Sequence, residues 1–488
     1  MKKLRRSKHA FVLVAVLIVI MLASMVAVSL LFRLHAEETA AAAGAGSEQA
    51  WTAAMSGIST AISVVSQVAP GSIEWQDAPE IFRERLLFDD GSDRWYFTVY
   101  TMGDAERQEI RFGLSDEASK LNVNNATEAM LGRLPRVTPY LAQGLLDFLD
   151  ADDAPRPFGA EQEYYDALAR PYAIRNGPLS TLEELLLVRG FTPALLFGED
   201  ANLNYQLDPN EDDGDEQFPP DNHDGRLDHG LRPYLTVSSY DLNEDNEGIP
   251  RTDLNDPQDT FPTGTVTNSL VQYILALRRN NIKLTHPADL LEAKGKFSDE
   301  KGKEVEMESG VGKKELAALL DQYTTTIHYH LPGLINLNTA SVQVLQTLPE
   351  IDEPLAEAII SARRDLRPEQ RRTPAWLYED DLVNAERFKK IAPYLTARGF
   401  QYHFHVIGYG LPSGRYRVLE AMIDLGGLKP AITYLRDITR LGLPFKIDGS
   451  GGALAAGKGS RGRTALASSL TPESFWGSPS KPKEVPHG

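Results

Sequence analysis

The chain has 488 residues, no cysteine and a formal net charge of -18, from 68 Asp+Glu against 50 Lys+Arg. The missing cysteine excludes disulfides, thiol chemistry and Cys-based zinc sites. The acidic balance opposes sequence-independent nucleic-acid binding, in which Lys and Arg displace counterions from phosphates, while 42% hydrophobic residues suffice for roughly two to four domains at this length.

Residues 1–10 form a basic leader, MKKLRRSKHA, and Phe11 to Phe32 carry no charge. Those 22 residues span about 33 Å as a helix, enough for one bilayer crossing. Lys2, Lys3, Arg5, Arg6 and Lys8 hold the N-terminus in the cytoplasm and place the remainder beyond the inner membrane, in the periplasm. Helical character then continues from Leu34 to Val68. A basic leader, a small residue (Ala10) and Phe11 opening a long half-membrane, half-soluble helix resemble type IV pilins and pseudopilins. In those proteins a dedicated peptidase cuts before the Phe. Ala10 stands where they usually have Gly, and Ala15, fifth after the cut, stands where most carry Glu. In a filament that Glu is neutralised by the terminal amine of the subunit above. A subunit with nothing above it would bury an unpaired carboxylate at a cost of several kcal/mol, so an apolar residue suits a filament tip.

Asp93 to Thr101 reads as a strand and Glu109 to Leu114 as its partner. Gln401 to Val406 and Tyr416 to Leu425 return to strand character, so a sheet opened near residue 93 is completed after a large, mostly helical insertion. Within the insertion Leu121-Asn122-Val123-Asn124 aligns with Ile335-Asn336-Leu337-Asn338 at an offset of 214 (338 − 124). Without a gap, Leu131 meets Leu345, Leu134-Pro135 meets Leu348-Pro349, and Leu141-Ala142 meets Leu355-Ala356. Apolar positions at helical spacing around a turn predict two copies of one helical hairpin, and Asn-x-Asn-x-Ala supplies cap and turn chemistry. DNA-binding helix-hairpin-helix modules use a Gly-apolar-Gly turn. Here the turns are Arg136-Val137-Thr138 and Glu350-Ile351-Asp352, which put bulk or negative charge where a phosphate would sit. The hairpins therefore read as packing devices, with no nucleic acid as partner.

Between the hairpins, LDPNEDDGDEQFPPDNHDGRLDHG places oxygens at Asp208, Asn210 and Asp212, then at Asn222, Asp224 and Asp228 around Gly225. Asp241, Asn243 and Asp245 alternate in the same way. Alternate oxygens with a Gly at the sharp turn are the pattern of hard-cation loops, although no complete EF-hand is present. His328 and His330, and likewise His403 and His405, share a face if they lie in strands, but zinc needs a third ligand that the sequence does not name. Gly452 to Lys458 imitates a phosphate-binding loop, yet Gly459 replaces the Ser or Thr that holds Mg²⁺. No nucleophile elbow, zinc-protease helix or positioned acid pair supports an enzyme.

Several segments in order carry a resemblance that covers about residues 8 to 437. They are the anchor without its Glu; Leu114-Ser115-Asp116-Glu117 running into Lys120 to Asn124; Asp147-Phe148-Leu149-Asp150-Ala151-Asp152-Asp153; and Arg175-Asn176-Gly177 ahead of Ser180 to Gly190. Together they resemble the K-type minor pseudopilin of type II secretion systems. The resemblance implies an α+β fold. An N-terminal transmembrane helix continues into a pilin-like α-helix with an antiparallel sheet, and a helical insertion holds two helix-hairpin-helix-like (SAM-like) repeats. It implies cleavage between Ala10 and Phe11 with N-methylation by the prepilin peptidase. The implied partners are I- and J-type minor pseudopilins, the major pseudopilin and the inner-membrane secretion platform. It also implies Ca²⁺ at the acidic run, and a tip that initiates or caps a pseudopilus supporting export of folded proteins.

The expected organisation is leader 1–10, transmembrane helix 11–32, pilin-like helix and first strands 33–115, first hairpin subdomain 116–205 and acidic loop 206–259. A helical extension 260–330, second hairpin subdomain 331–399, closing strands 400–445 and disordered tail 446–488 complete it. Two other functions fit parts of the sequence: a membrane-anchored DNA-binding or uptake protein built on the hairpins, and a signal-anchored periplasmic calcium-binding module.

Overall fold

In the computed structural model, residues 8–68, 70–102, 110–203, 205, 207–214, 216–258, 267–298 and 304–445 are described; the first seven leader residues and the tail from 446 onward, with its Gly452–Lys458 loop, lie outside them. The first element, α1 (Lys8–Gln67), is one unbroken helix. Its N-terminal half from Val12 to Leu34 exposes apolar side chains, and it is long and apolar enough to cross a membrane. Its C-terminal half instead presents a buried stripe of Ala50, Ala53, Ala54, Ile58, Ala61 and Val65, spaced at three and four residues as one helix face requires.

That stripe lies on an antiparallel sheet of seven strands: β1 (Arg85–Asp89), β2 (Arg94–Met102), β3 (Ile110–Arg111), β4 (Ser115–Asp116), β5 (Gln401–Leu411), β6 (Tyr416–Asp424) and β7 (Ala431–Asp437). The order is β1-β2-β5-β6-β7, with β3 on β2 and β4 on β5. Side-chain alternation divides the sheet into two faces. Phe97, Val99, Phe404, Val406, Leu419 and Ala421 pack under α1, and Tyr96, Tyr100, Ile407, Tyr409 and Val418 pack on the other side. Helix and sheet approach closely because the contact is made by small residues. A Cβ on Gly408 would lie 2.1 Å from the Ala50 carbonyl oxygen, and one on Gly57 would lie 2.6 Å from Val406 Cγ1. Edge strand β1 exposes Leu86, Leu87 and Phe88. It lacks the alternation that betrays a half-buried strand, which is why the sequence did not reveal it.

The insertion joins β4 to β5 and folds around one continuous core. Two pairs of helices occupy the aligned segments. Glu128–Leu131 and Pro139–Leu149 form the first, and Val342–Gln346 and Glu353–Ala362 the second. Their turns begin at Arg136 and Glu350, with φ of 61° and 60°. Each hairpin is preceded by a two-residue strand paired in parallel with a later segment: Leu121–Asn122 with Leu235–Thr236, and Ile335–Asn336 with Leu395–Thr396.

A third unit repeats this plan between them. Thr252–Asp253 pairs in parallel with Tyr323–Thr324, and the helix Asn268–Arg279 follows a Thr267 cap. In all three units an Asn closes the ring. Asn124 Nδ2 donates to the carbonyls of Leu179 and Val237, both at 3.0 Å; Asn255 to those of Leu284 (3.0 Å) and Thr325 (3.4 Å); Asn338 to those of Arg371 (2.8 Å) and Ala397 (3.0 Å). The expected 260–330 extension is thus most of a third module, and 206–259 is no separate unit, since Leu235–Thr236 closes the first. The signal was Asp253-Leu254-Asn255, an Asn-x-Asn opening with Asp in first place. Its flank diverges, with a β-hairpin of Lys294–Ser298 and Glu304–Glu308 inserted, so gapless alignment missed it.

Candidate functional site

The features that bear on function are the anchor, the joint between sheet and insertion, and the acidic run. Ala10, Phe11 and Ala15 all lie within α1, with Ala15 on its exposed stretch.

The orientation of the sheet places the insertion. Arg417, at the start of β6, donates through Nε to Ser47 Oγ at 3.1 Å, and Tyr402, near the start of β5, packs edge-on against Trp75 with ring centroids 4.9 Å apart. β5 therefore runs back along α1, and the inserted modules leave the sheet where α1 ends, far from its apolar half. A Cβ on Gly71 would lie 2.3 Å from the Pro368 carbonyl oxygen, so the module of the second hairpin abuts the chain just beyond α1.

Ser115-Asp116-Glu117 is the linkage between sheet and modules. Asp116 Oδ2 accepts from Asn336 Nδ2 at 2.7 Å and Thr339 Oγ1 at 2.9 Å, and Oδ1 accepts from the Ala118 amide at 2.9 Å. Burial outweighs these bonds and pushes the carboxyl up to about 6. Glu117 accepts from Thr236 Oγ1 and pairs with Lys120, so neighbouring acids hold the module of the second hairpin and that of the first. Asp241 joins the modules in the same manner. It accepts from Thr396 Oγ1 at 2.7 Å and Arg398 Nη2 at 2.8 Å, and Arg398 also donates to the carbonyls of Leu242, Glu244 and Asp245. Asn243 Nδ2 donates to the carbonyls of Thr326 and His328, and Asp245 Oδ1 accepts from the amides of Glu247 and Ile249. Within the expected third cation run, Arg398 therefore brings positive charge to the Asp241 carboxylate and the Asp245 carbonyl.

His403 and His405 do share a face, and β6 brings the third group that the sequence could not name. Glu420 Oε1 is 3.0 Å from His403 Nε2 and 3.9 Å from His405 Nε2. Arg232 donates to the same oxygen at 3.0 Å. Burial raises Glu420, but the hydrogen bond with His403 and the Arg232 guanidinium outweigh it and hold the carboxyl well below the usual range. Burial keeps His405 neutral, lowered to about 3. The cluster is an internally balanced charge network between sheet and first module.

The acidic run folds back on itself. The Asp221 carboxylate accepts from the amides of Asp213, Gly214 and His223, and Asp212 Oδ1 from that of Gly225 at 3.0 Å. Asn222 and Asp224 each accept from the amide two residues on. Asn210 Nδ2 donates to the Phe218 carbonyl, Asn202 Nδ2 to Asp208, and Asp228 pairs with Arg136. Ligand atoms of Asp212, Asp221 and His223 lie within 4.8 Å of one another. The sequence reading did not single out the buried carboxylates Glu199 and Asp200 beside the run, and Glu211 within it is buried as well; burial raises Glu199 and Glu211. An oxygen-rich set with buried acids suits a hard divalent cation. The hairpin turns are also engaged within the chain. Arg387 Nε donates to the Glu350 carbonyl at 2.7 Å, and Lys390 pairs with its carboxylate at 2.9 Å.

Residues 116–197 match the family model described as type II secretion system (T2SS), protein K. One solved structure similar to this chain is from the GspK-GspI-GspJ complex of the enterotoxigenic Escherichia coli type 2 secretion system. It shares 13% identity at a TM-score of 0.35, with 83% of this chain and 99% of that chain covered. No curated protein matches the chain.

Proposed function

We propose that this chain, by residues 116–197 a K-type component of the type II secretion system family, is a minor pseudopilin at the tip of a membrane-rooted pseudopilus. The observation that carries the reading is the placement of the insertion at the end of α1 opposite the apolar half. Pilin-like subunits stack through their long helices. Three modules standing over the far end of this helix obstruct the next subunit, which makes the chain a cap and a starting point, with no role as a repeating unit. Ala15 fits the same position, because a topmost subunit has no neighbour's amine to neutralise a lipid-immersed acid.

In this reading the prepilin peptidase cuts between Ala10 and Phe11, and α1 sits in the inner membrane with the modules in the periplasm. I- and J-type minor pseudopilins join through the pilin-like part above the major pseudopilin and the inner-membrane platform. Calcium at the acidic run, held by Asp208, Asp212, Asp221 and Asp228 with Glu199 and Glu211, supplies charge neutralisation that fixes the loop. The test uses the full chain co-expressed with its cognate I- and J-type partners and the major pseudopilin. The expected results are a co-purifying complex, gold label confined to filament ends, and a mature N-terminus beginning at N-methylated Phe11. Label distributed along filaments overturns the proposal.

A further inference from the structure

A cavity of about 600 Å³ opens where the sheet, the first module and the module of the second hairpin meet. Its wall is basic in a chain of net charge -18: Arg111, Lys120, Arg232, Arg363 and Arg364 line it against two acids, Asp200 and Glu357. Lys120 is paired with Glu117 and Arg232 with Glu420. Arg363 instead meets neutral groups, donating through Nη1 to the carbonyls of Leu337 at 3.3 Å and Ala340 at 2.7 Å. Among the described residues neither Arg363 nor Arg364 forms an ion pair. Burial, and then the nearby charges of Arg364, Arg111 and Arg371, lower Arg363 to about 10, so guanidinium groups crowd against one another here. Three lining side chains also hold a buried polar atom that has no hydrogen-bond partner: Asn338 Oδ1, His229 Nε2 and His405 Nδ1, on residues 3%, 8% and 2% exposed. Buried polar groups in native proteins are almost always satisfied. One such atom from the second hairpin's module, one from the first module and one from the sheet converge on a single cavity.

We propose that this cavity receives an extended acidic peptide segment of a partner protein, its carboxylates held by Arg363 and Arg364 and a peptide N–H donating to Asn338 Oδ1. Guanidinium groups recognise carboxylates through planar, often two-pronged hydrogen bonds. Asn338 Oδ1 can only accept, so the ligand must bring a donor as well as negative charge. Phe197, Leu203, Val342 and Ile360 add apolar wall. A free phosphate brings acceptors and no apolar surface, so it answers only part of this lining, whereas a peptide answers all of it. The volume lies within the range of ligand pockets, about 300–1,000 Å³. The site stands on these residues whether or not the chain caps a filament.

The experiment is fluorescence anisotropy of a short labelled peptide of alternating Glu and Ala, titrated with the full-length chain in detergent. The same peptide with Lys for Glu, and competition by inorganic phosphate, run in parallel. Saturable binding of the Glu peptide alone is expected. Arg364→Glu should weaken it by about tenfold or more, the loss of one charge-assisted hydrogen bond, and Glu357→Gln should strengthen it several-fold. Both positions are exposed, which spares the core, and a gain in one variant keeps the test independent of misfolding in the other. Arg367→Glu is exposed and outside the cavity; it changes net charge equally and should bind as the parent does. Equal weakening in Arg364→Glu and Arg367→Glu shows general charge attraction and overturns the site, as does binding of the Lys peptide, an unchanged affinity in Glu357→Gln, or no binding at all. Displacement of the peptide by equimolar phosphate leaves a simple anion site and overturns the choice of a peptide.

Discussion

Asp116 and Asn336, 220 residues apart, meet at 2.7 Å in a buried hydrogen bond that fastens the module of the second hairpin to the sheet. Gly399 makes room for it, since a Cβ there would lie 2.1 Å from Asp116 Oδ1. The carboxyl is 2% exposed and is raised by burial from 3.8 to about 6, so the folded state holds the proton more tightly than the unfolded chain. Its contribution is fully present below pH 3.8 and is lost as pH rises through about 6. The two-unit difference corresponds to about 3 kcal/mol. Asp116→Asn therefore gains stability relative to the parent by about that amount between pH 4 and pH 7, on top of a constant offset from altered hydrogen bonding. Denaturant melts across that range measure the difference, and a flat difference curve contradicts it.

The three asparagine clasps should behave alike. Asn255→Ala removes the donor to two carbonyls and the Oδ1 acceptor of the Leu284 amide, and each buried group left unpaired costs about 1–3 kcal/mol. Hydrogen exchange is expected to speed up around residues 252–256, 284 and 323–325 in Asn255→Ala, and around the corresponding segments in Asn124→Ala and Asn338→Ala. Unchanged exchange in Asn255→Ala alone would show that the middle module is held differently.

Gly408 sets the distance between α1 and the sheet. A Cβ there would also lie 2.4 Å from the Ala54 nitrogen, and backbone cannot turn aside as a side chain can. Gly408→Val should lower stability by about 1–3 kcal/mol or more, as overpacking does, with Gly408→Ala intermediate. Thermal melts and limited proteolysis near residues 45–65 report it.

Ala15→Glu places an acid in the exposed apolar stretch of α1 that the proposed function sets in the membrane. At a filament tip it has no amine partner, and an acidic side chain at membrane depth costs about 2.5–3.5 kcal/mol on insertion scales. Several-fold less chain should be recovered in the complex with I- and J-type partners, while Ala15→Leu matches the parent. Full recovery of Ala15→Glu in that complex removes the membrane argument for a tip.

The sequence by itself determined the features that depend on neighbours along the chain. Phe11 to Phe32 is apolar whatever follows it, and the hairpins at 128–149 and 342–362 announce themselves through apolar spacing and capped openings. Only the tertiary structure decided what the acids do. Asp241, Asn243 and Asp245 carry the alternation of a cation loop, yet the fold delivers Arg398 from more than 150 residues away to two of them. Glu161 looked unremarkable in sequence, and the fold seals it beside Asp150 with no partner. The edge strand β1 and the third module were hidden for a related reason: an edge strand open on both faces needs no alternation, and Asp253-Leu254-Asn255 becomes a clasp only when Leu284 and Thr325 arrive. Periodicity records which face of an element is buried. The charge and hydrogen-bond partner that a buried group meets come from remote segments, and no local pattern encodes them.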